Sequence, residues 1–330
     1  MGEPSLVGQR LGAYLLEAEI GRGSMGIVYR ATHVEQGFVA AVKVLLDALA
    51  SDASFVTRFT REARIVGALQ HPNILRLYDA GQDRGHIYFA MEYFAGNTAG
   101  QLRKQQGRLP VGQVIEIAAQ TADALEYAHV QGHLVHRDVK PENLQVDRWC
   151  RVKVLDFGLA RVEGLESITR TGTVVGSLYY VSPEQLLGRQ LDGRADVYAL
   201  GISMYEMLTG QRPYRGRTLT EMTDAILKGV PVPPSQLEPA IPPALEGIIL
   251  RALMRDRDRR YASAGQIHEE LRALQAQLAS ESDLAPDHTP WDAATLPTVR
   301  SPAVVRPSGS AHPLTTGVHE RDHPQPGRSD

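Results

Sequence analysis

The chain of 330 residues holds a single cysteine, Cys150. No intrachain disulfide can form, which fits a reducing compartment. The residue reads as a small apolar group buried on a strand. Nor is there a run of the roughly 18–20 apolar residues that a membrane helix needs. The opening stretch from Met1 to Arg10 has no apolar core, so no signal peptide is expected. Leu6 stands where a myristoylation signal needs Ser or Thr. The formal net charge of -3 gives no basic field that would attract nucleic acid. A soluble, cytoplasmic protein is expected.

What is present is ample material for a folded core, since 43% of the residues are hydrophobic. The texture changes along the chain. Tyr14–Ile20, Ile27–Ala31, Val39–Val44 and Ile87–Glu92 are short β-prone runs between turns. A helical pattern from Ser54 to Leu69 interrupts them, with Phe55, Phe59, Ala63 and Val66 on one face. Helical periods then dominate: Val111–His129, Asp196–Thr209, Leu219–Lys228, Ala244–Met254 and Gln266–Leu278. Gly210 is a stop signal for the second of these. A strand-rich first part and a helix-rich second part predict an α+β protein of two lobes with a ligand cleft between them. From about Ser280 the sequence is rich in Pro, Ser, His and Gly without periodicity, as in Leu296–Pro302, and is expected to be disordered.

Three local patterns carry chemistry. Gly21-Arg22-Gly23-Ser24-Met25-Gly26-Ile27-Val28 lies between two strands. Glycines there allow backbone N–H groups to approach phosphate oxygens. A dinucleotide fingerprint would need a helix straight after the glycines, and a strand follows instead. A ligand-free glycine hairpin is the plainer alternative. On the next strand Lys43 alternates with apolar neighbours and so points to one face. Facing the glycine loop it would neutralise phosphate, with Glu62 as the anion to hold it; taken alone, each could be a solvated surface charge. The third pattern is His136-Arg137-Asp138-Val139-Lys140-Pro141-Glu142-Asn143, followed by Asp156-Phe157-Gly158 and by Ser182-Pro183-Glu184.

Together these motifs resemble the eukaryotic-type protein kinase family, most closely its bacterial serine/threonine members, over roughly Leu11 to Leu278. The resemblance implies a bilobal fold. A small β-rich N-lobe with one main helix (about 11–95) would precede a larger helical C-lobe (about 96–278). Residues 1–10 would be an N-terminal extension and 279–330 a tail. It implies transfer of the γ-phosphate of ATP to Ser or Thr hydroxyls of proteins. Lys43 would hold the α- and β-phosphates and Glu62 would fix its ammonium. Gly21, Gly23 and Gly26 would cover the phosphates. Asp138 would take or orient the substrate hydroxyl proton, and Lys140 would reach the γ-phosphate. Asp156 and Asn143 would hold Mg²⁺ or Mn²⁺. Val28 and Ala41 would form the ceiling over adenine. Met91 would stand at the gatekeeper position, with backbone groups of Glu92 and Phe94 meeting the base edge. Gln145 departs from the family, which places an apolar residue at this floor position. A polar amide there needs a hydrogen-bond partner.

The same resemblance pairs Glu184 with Arg260, anchors the catalytic loop on Asp196, and stacks His136 and Phe157 in an apolar spine with Val66 and Leu77. Lys140-Pro141-Glu142 and the hydroxyl of Ser177 point to Ser/Thr rather than Tyr substrates. Arg137 before Asp138 implies control by phosphorylation of the loop from Asp156 to Glu184. Thr169 and Thr171 would be the autophosphorylation sites, modified in trans by a second copy in a transient dimer. Thr289, Thr298 and Ser301 could serve as phosphorylated docking sites in the tail. Two other readings stay open: a pseudokinase that acts as a binding or scaffold module, and a small-molecule kinase of related fold.

Overall fold

The computed structural model describes residues 5–281 except 24, 51–55, 58–62, 64 and 158–175, with the backbone alone at 48, 176, 177 and 281. One compact unit spans Met1–Trp291, and a second, Asp292–Asp330, lies outside the described residues. Six strands form an antiparallel sheet: β1 (Arg10–Leu11), β2 (Tyr14–Arg22), β3 (Gly26–His33), β4 (Val39–Leu45), β5 (Leu77–Asp83) and β6 (His86–Glu92). Their order is β1-β2-β3-β4-β6-β5. The short helix α1 (Asp47–Ala50) follows β4, and residues 65–68 form the last described helical turn before β5.

The alternation of side chains along these strands decides which residues can act. Ile27, Tyr29, Ala40, Val42 and Val44 are buried in one apolar cluster on the outer face. Their neighbours must then point to the other face. Val28 lies opposite Lys43 in the β3–β4 register, and Ala41 and Lys43 lie opposite Met91 and Phe89 in the β4–β6 register. Directly opposed residues share a face. Val28, Ala41, Lys43 and Met91 therefore look together toward the helical lobe.

A three-stranded sheet, β7 (Asn97–Thr98), β8 (Leu144–Val146) and β9 (Val152–Val154), carries the other side. Helix α2 (Ala99–Gln106) was not foreseen from its polar sequence. It starts with a capping box in which Thr98 accepts from the Gln101 N–H and Gln101 accepts from the Thr98 N–H. Cys150 is a correction to the strand expected for it. It sits in the turn between β8 and β9 with φ 60°. The Asp147 carboxylate accepts from the N–H groups of Trp149 and Arg151, each at 2.9 Å, and so ends β8 early. Burial pushes the thiol up to about 12, so it is an inert group.

The other α-helices among the described residues are α3 (Val111–Gly132), α4 (Pro183–Leu186), α5 (Arg194–Thr209), α6 (Leu219–Lys228), α7 (Pro234–Leu237), α8 (Pro243–Ala252) and α9 (Ala264–Glu281). Helix α5 is buried nearly all round, as expected of a central core helix. A Cβ on Gly201 would come within 2.9 Å of the Ala252 Cβ, so glycine lets α5 and α8 cross closely. Gly210 ends α5 in the left-handed conformation at φ 71°. Among the described residues no helix is long and apolar enough to cross a membrane.

Beneath the site, Arg260 meets Glu184 in a two-pronged ion pair at 2.7 and 2.8 Å. The two side chains are 0% and 5% exposed, so this pair is out of water. The remaining donors of Arg260 reach the carbonyls of Met254, Arg194 and Arg255. Burial opposes the Glu184 charge, but the hydrogen bonds and charge of Arg260 outweigh it and hold the carboxyl below its ordinary value. Such a contribution is complete above the unfolded-state value of about 4.3 and lost as pH falls through the lower folded value. Glu184→Gln leaves a stranded guanidinium, and urea titration at pH 7 should show a loss of about 3–5 kcal/mol. The gap between variant and native protein should narrow as pH drops below about 4.

Candidate active site

Asp196, in the first turn of α5, fixes the loop on which the site is built. Its carboxylate oxygens accept from the backbone N–H groups of His136 at 2.6 Å and Arg137 at 2.8 Å. The His136 ring bonds the Leu155 carbonyl through Nε2 at 2.8 Å and packs on Phe157 with ring centroids 4.6 Å apart. The Leu155 N–H in turn reaches the Asn143 carbonyl at 2.9 Å. Two segments far apart in sequence, 136–143 and 155–157, are thereby held side by side. Arg137 and Asp156 adopt positive φ, 70° and 54°. Each such conformation costs a non-glycine residue about 1–3 kcal/mol and persists only where its surroundings impose it.

The loop turns its functional groups onto one point. Asp138 Oδ2 accepts from Lys140 Nζ at 2.6 Å and from Asn143 Nδ2 at 3.0 Å. The same Asn143 amide also donates to the Asp138 carbonyl at 2.8 Å. Because Nδ2 is spent on Asp138, the amide oxygen points away from it. Across the cleft Lys43 Nζ donates to both oxygens of Asp156 at 2.9 Å. Burial works against the Asp156 charge, but the Lys43 ammonium outweighs it and keeps the carboxyl below the ordinary aspartate range.

A cavity of about 40 Å³ lies next to this pair, lined by Lys43, Asp156, Phe157, Val66, Leu77 and Met91 among others. It brings together Phe157, Val66 and Leu77, the apolar spine expected from the sequence. Val28, Ala41 and Gln145 do not line it, so it is a space behind Met91 rather than the expected adenine slot. Of the glycine loop, Gly26 alone has its side chain excluded by the fold, since a Cβ would sit 2.2 Å from the Val44 carbonyl. A Cβ on Gly21 would make ordinary contact with Val28 at 3.9 Å, and one on Gly23 would meet nothing within 4 Å.

Gln145 has found the partner that its polar amide requires. Nε2 donates to the Phe94 carbonyl at 2.7 Å. The Glu92 side chain is engaged as well, by Lys153 Nζ at 2.7 Å. Lys153 was missed by reading the sequence. The signal available was a lysine between two buried valines, Val152 and Val154, just ahead of Asp156. Glu62 and the segment 158–175, with Gly158, Thr169 and Thr171, lie outside the described residues, as does the side chain of Ser177.

Residues 14–271 match the protein kinase domain family. This chain belongs to the protein kinase family. It is 38% identical over 270 residues to a probable serine/threonine-protein kinase of Clostridium acetobutylicum, covering 82% of this chain and 41% of that one. It is 37% identical over 313 residues to the serine/threonine-protein kinase pkn3 of Myxococcus xanthus, covering 92% and 57%. The kinase thus spans about two fifths to three fifths of the length of these curated relatives. Among solved structures, the kinase domain of PknI from Mycobacterium tuberculosis superposes with a TM-score of 0.65 at 32% identity, covering 84% of this chain and all of that one. The two-lobed architecture of this kinase is therefore that of the bacterial serine/threonine members.

Proposed function

We propose that this chain is an active kinase that transfers the γ-phosphoryl group of ATP to serine and threonine hydroxyls of proteins. The observation that carries the reading is the convergence of Lys43, Asp156, Asp138, Lys140 and Asn143, drawn from two lobes, on one cleft. A pseudokinase has no need to keep such a set intact. Phosphoryl transfer asks for positioning and neutralisation of negative charge more than for covalent help.

The donor set suits a magnesium ion. Among the described residues no three His, Cys, Asp or Glu side chains cluster as a dedicated protein cage would require. One carboxylate, Asp156, and one amide oxygen, on Asn143, instead offer two hard ligands, which fits a cation completed by phosphate and water. When bound there, the cation supplies neutralisation of charge on the phosphate oxygens.

The chain's own groups divide the remaining work. Lys43 turns from Asp156 to the α- and β-phosphates. Gly21, Gly23 and Gly26 lay backbone over the phosphates, while Val28 and Ala41 cover the base from above. Asp138 has Oδ2 fixed by two donors, which leaves Oδ1 to orient the substrate hydroxyl and receive its proton. Lys140, held against Asp138, lies where the γ-phosphoryl group passes. Glu62 would steady Lys43. The catalytic domain on this reading runs from 11 to 278. Activation proceeds by phosphorylation of Thr169 or Thr171 in trans, which adds about 1.5–2 negative charges near Arg137.

Purified protein incubated with radiolabelled ATP and Mg²⁺ should label itself. Lys43→Ala and Asp138→Asn should each lower the rate about 100-fold or more. Labelling that survives both substitutions contradicts the assignment. Mass spectrometry of the active sample should place phosphate on Thr169 or Thr171; an active sample with both unmodified argues against control by this loop.

A further inference from the structure

The turn between β8 and β9 presents an aromatic ring beside two cations. Trp149 is 55% exposed. The Arg148 guanidinium lies over its ring at 4.1 Å from the centroid, and that of Arg151 at 4.9 Å. A guanidinium laid on a ring uses its face and keeps its N–H edge for anions. Arg151 spends part of that edge on Asp147, to which Nε donates at 2.7 Å, yet its side chain stays 65% exposed. Arg148 is exposed, and no carboxylate among the described residues pairs with it. The turn is a fixed mount. Asp147 holds the N–H groups of Trp149 and Arg151. Gln120 of α3 donates to the Cys150 carbonyl at 2.7 Å and accepts from the Val152 N–H at 2.9 Å. A fixed tryptophan flanked by guanidinium edges suits a segment that brings carboxylates together with proline or aromatic surface.

Such a segment follows α9 in the chain. Between Arg272 and Arg300 the sequence has no Lys or Arg, and Ser282–Trp291, outside the described residues, holds Asp283, Asp287, Pro286, Pro290 and Trp291. The end of α9 and the turn share a chain of hydrogen bonds. Arg272 and Gln275 donate to Glu116 Oε2, Glu116 Oε1 accepts from Gln120 Nε2 at 2.6 Å, and Gln120 holds the turn. From Gln275 to its last residue α9 advances by about 9 Å. The ten residues that follow span up to about 33–36 Å when extended, long enough to return to the turn. We propose that Ser282–Trp291 docks on the Arg148–Trp149–Arg151 platform of its own chain. Asp283 and Asp287 meet the guanidinium edges, and Pro286 between them covers the Trp149 ring. Ion pairs at a surface are individually weak and screened by salt. Tethering offsets that weakness, because it holds the segment at a high local concentration beside its site. The docked segment ties the end of α9 to the small sheet that carries Gln145.

Oxidative footprinting of the full chain, read at Trp149 by mass spectrometry, tests this without any turnover. In low salt, Trp149 of the native chain should be oxidised about threefold or more slowly than in a variant with both Asp283→Asn and Asp287→Asn. Salt of about 0.5 M should bring the two rates within about twofold of each other. A synthetic peptide of the sequence Ser282–Trp291, added in excess, should slow oxidation of Trp149 in the Asn variant. The same peptide with Asn at both Asp positions should not, and Arg148→Gln in the protein should abolish the effect of the first peptide. The protection in the native chain should not change with protein concentration, as a contact within one chain requires. Equal oxidation of Trp149 in the native chain and the Asn variant overturns the proposal, as does equal protection by the two peptides. Protection that rises with protein concentration assigns the platform to the segment of a second copy and overturns it as well.

Discussion

Negative charge must be gathered where more negative charge will arrive, and this constraint governs the structure. Asp138 and Asp156 sit in one cleft that, on the proposed function, accepts a triphosphate. Each is paired with a lysine before any ligand is present: Lys43 on Asp156 and Lys140 on Asp138. The pairing orients both carboxylates and holds the Asp156 carboxyl below the ordinary aspartate range, which suits the proposed roles of hard oxygen ligand and proton acceptor. It also keeps two ammonium groups close at hand to move onto phosphate. Lys43 stands on the N-lobe sheet and Asp156 on the C-lobe, so the Lys43 pair joins two parts of the chain separated by 113 residues.

A site assembled from distant segments needs supports that do not yield. Asp196 draws two successive N–H groups of the catalytic loop onto one carboxylate. Its own place is set by α5, which is buried among the other C-lobe helices. The Glu184–Arg260 pair ties α4 to the segment before α9 and is almost wholly out of water. Buried ion pairs are weak sources of net stability but costly to break, which makes them good registers for geometry. Strain at Arg137 and Asp156 is borne by this frame.

Much of this was legible in the sequence because chemistry constrains residue type. The proposed phosphate contact asks for a lysine such as Lys43 and the proposed metal contact for hard oxygens such as those of Asp156 and Asn143, and few other residue types stand in. The lobes were visible from the shift of hydrophobic period, and Leu219–Lys228 was bounded correctly because Thr218 and Gly229 flank it. What escaped notice was set by tertiary contact. Helix α2 has too little apolar content to announce itself, though Thr98 and Gln101 do form a capping box. Cys150 reads as a strand residue because the turn is made by the side chain of Asp147, three positions earlier. Lys153 gave no sign of its partner, since Glu92 lies 61 residues away in the chain. Glu62 and residues 158–175 of the loop from Asp156 to Glu184 fall outside the described residues.

Gln145 shows how a departure from a family pattern becomes intelligible in three dimensions. Alone it is a polar group in an apolar slot; beside the Phe94 carbonyl it is satisfied. The central claim, that Asp156 serves a cation shared with nucleotide, can be tested without any turnover. ADP binding should be measured calorimetrically with and without Mg²⁺, in the native chain and in Asp156→Asn. The account predicts that Mg²⁺ tightens ADP about tenfold or more in the native chain and less than about twofold in the variant. An equal gain from Mg²⁺ in both would contradict it.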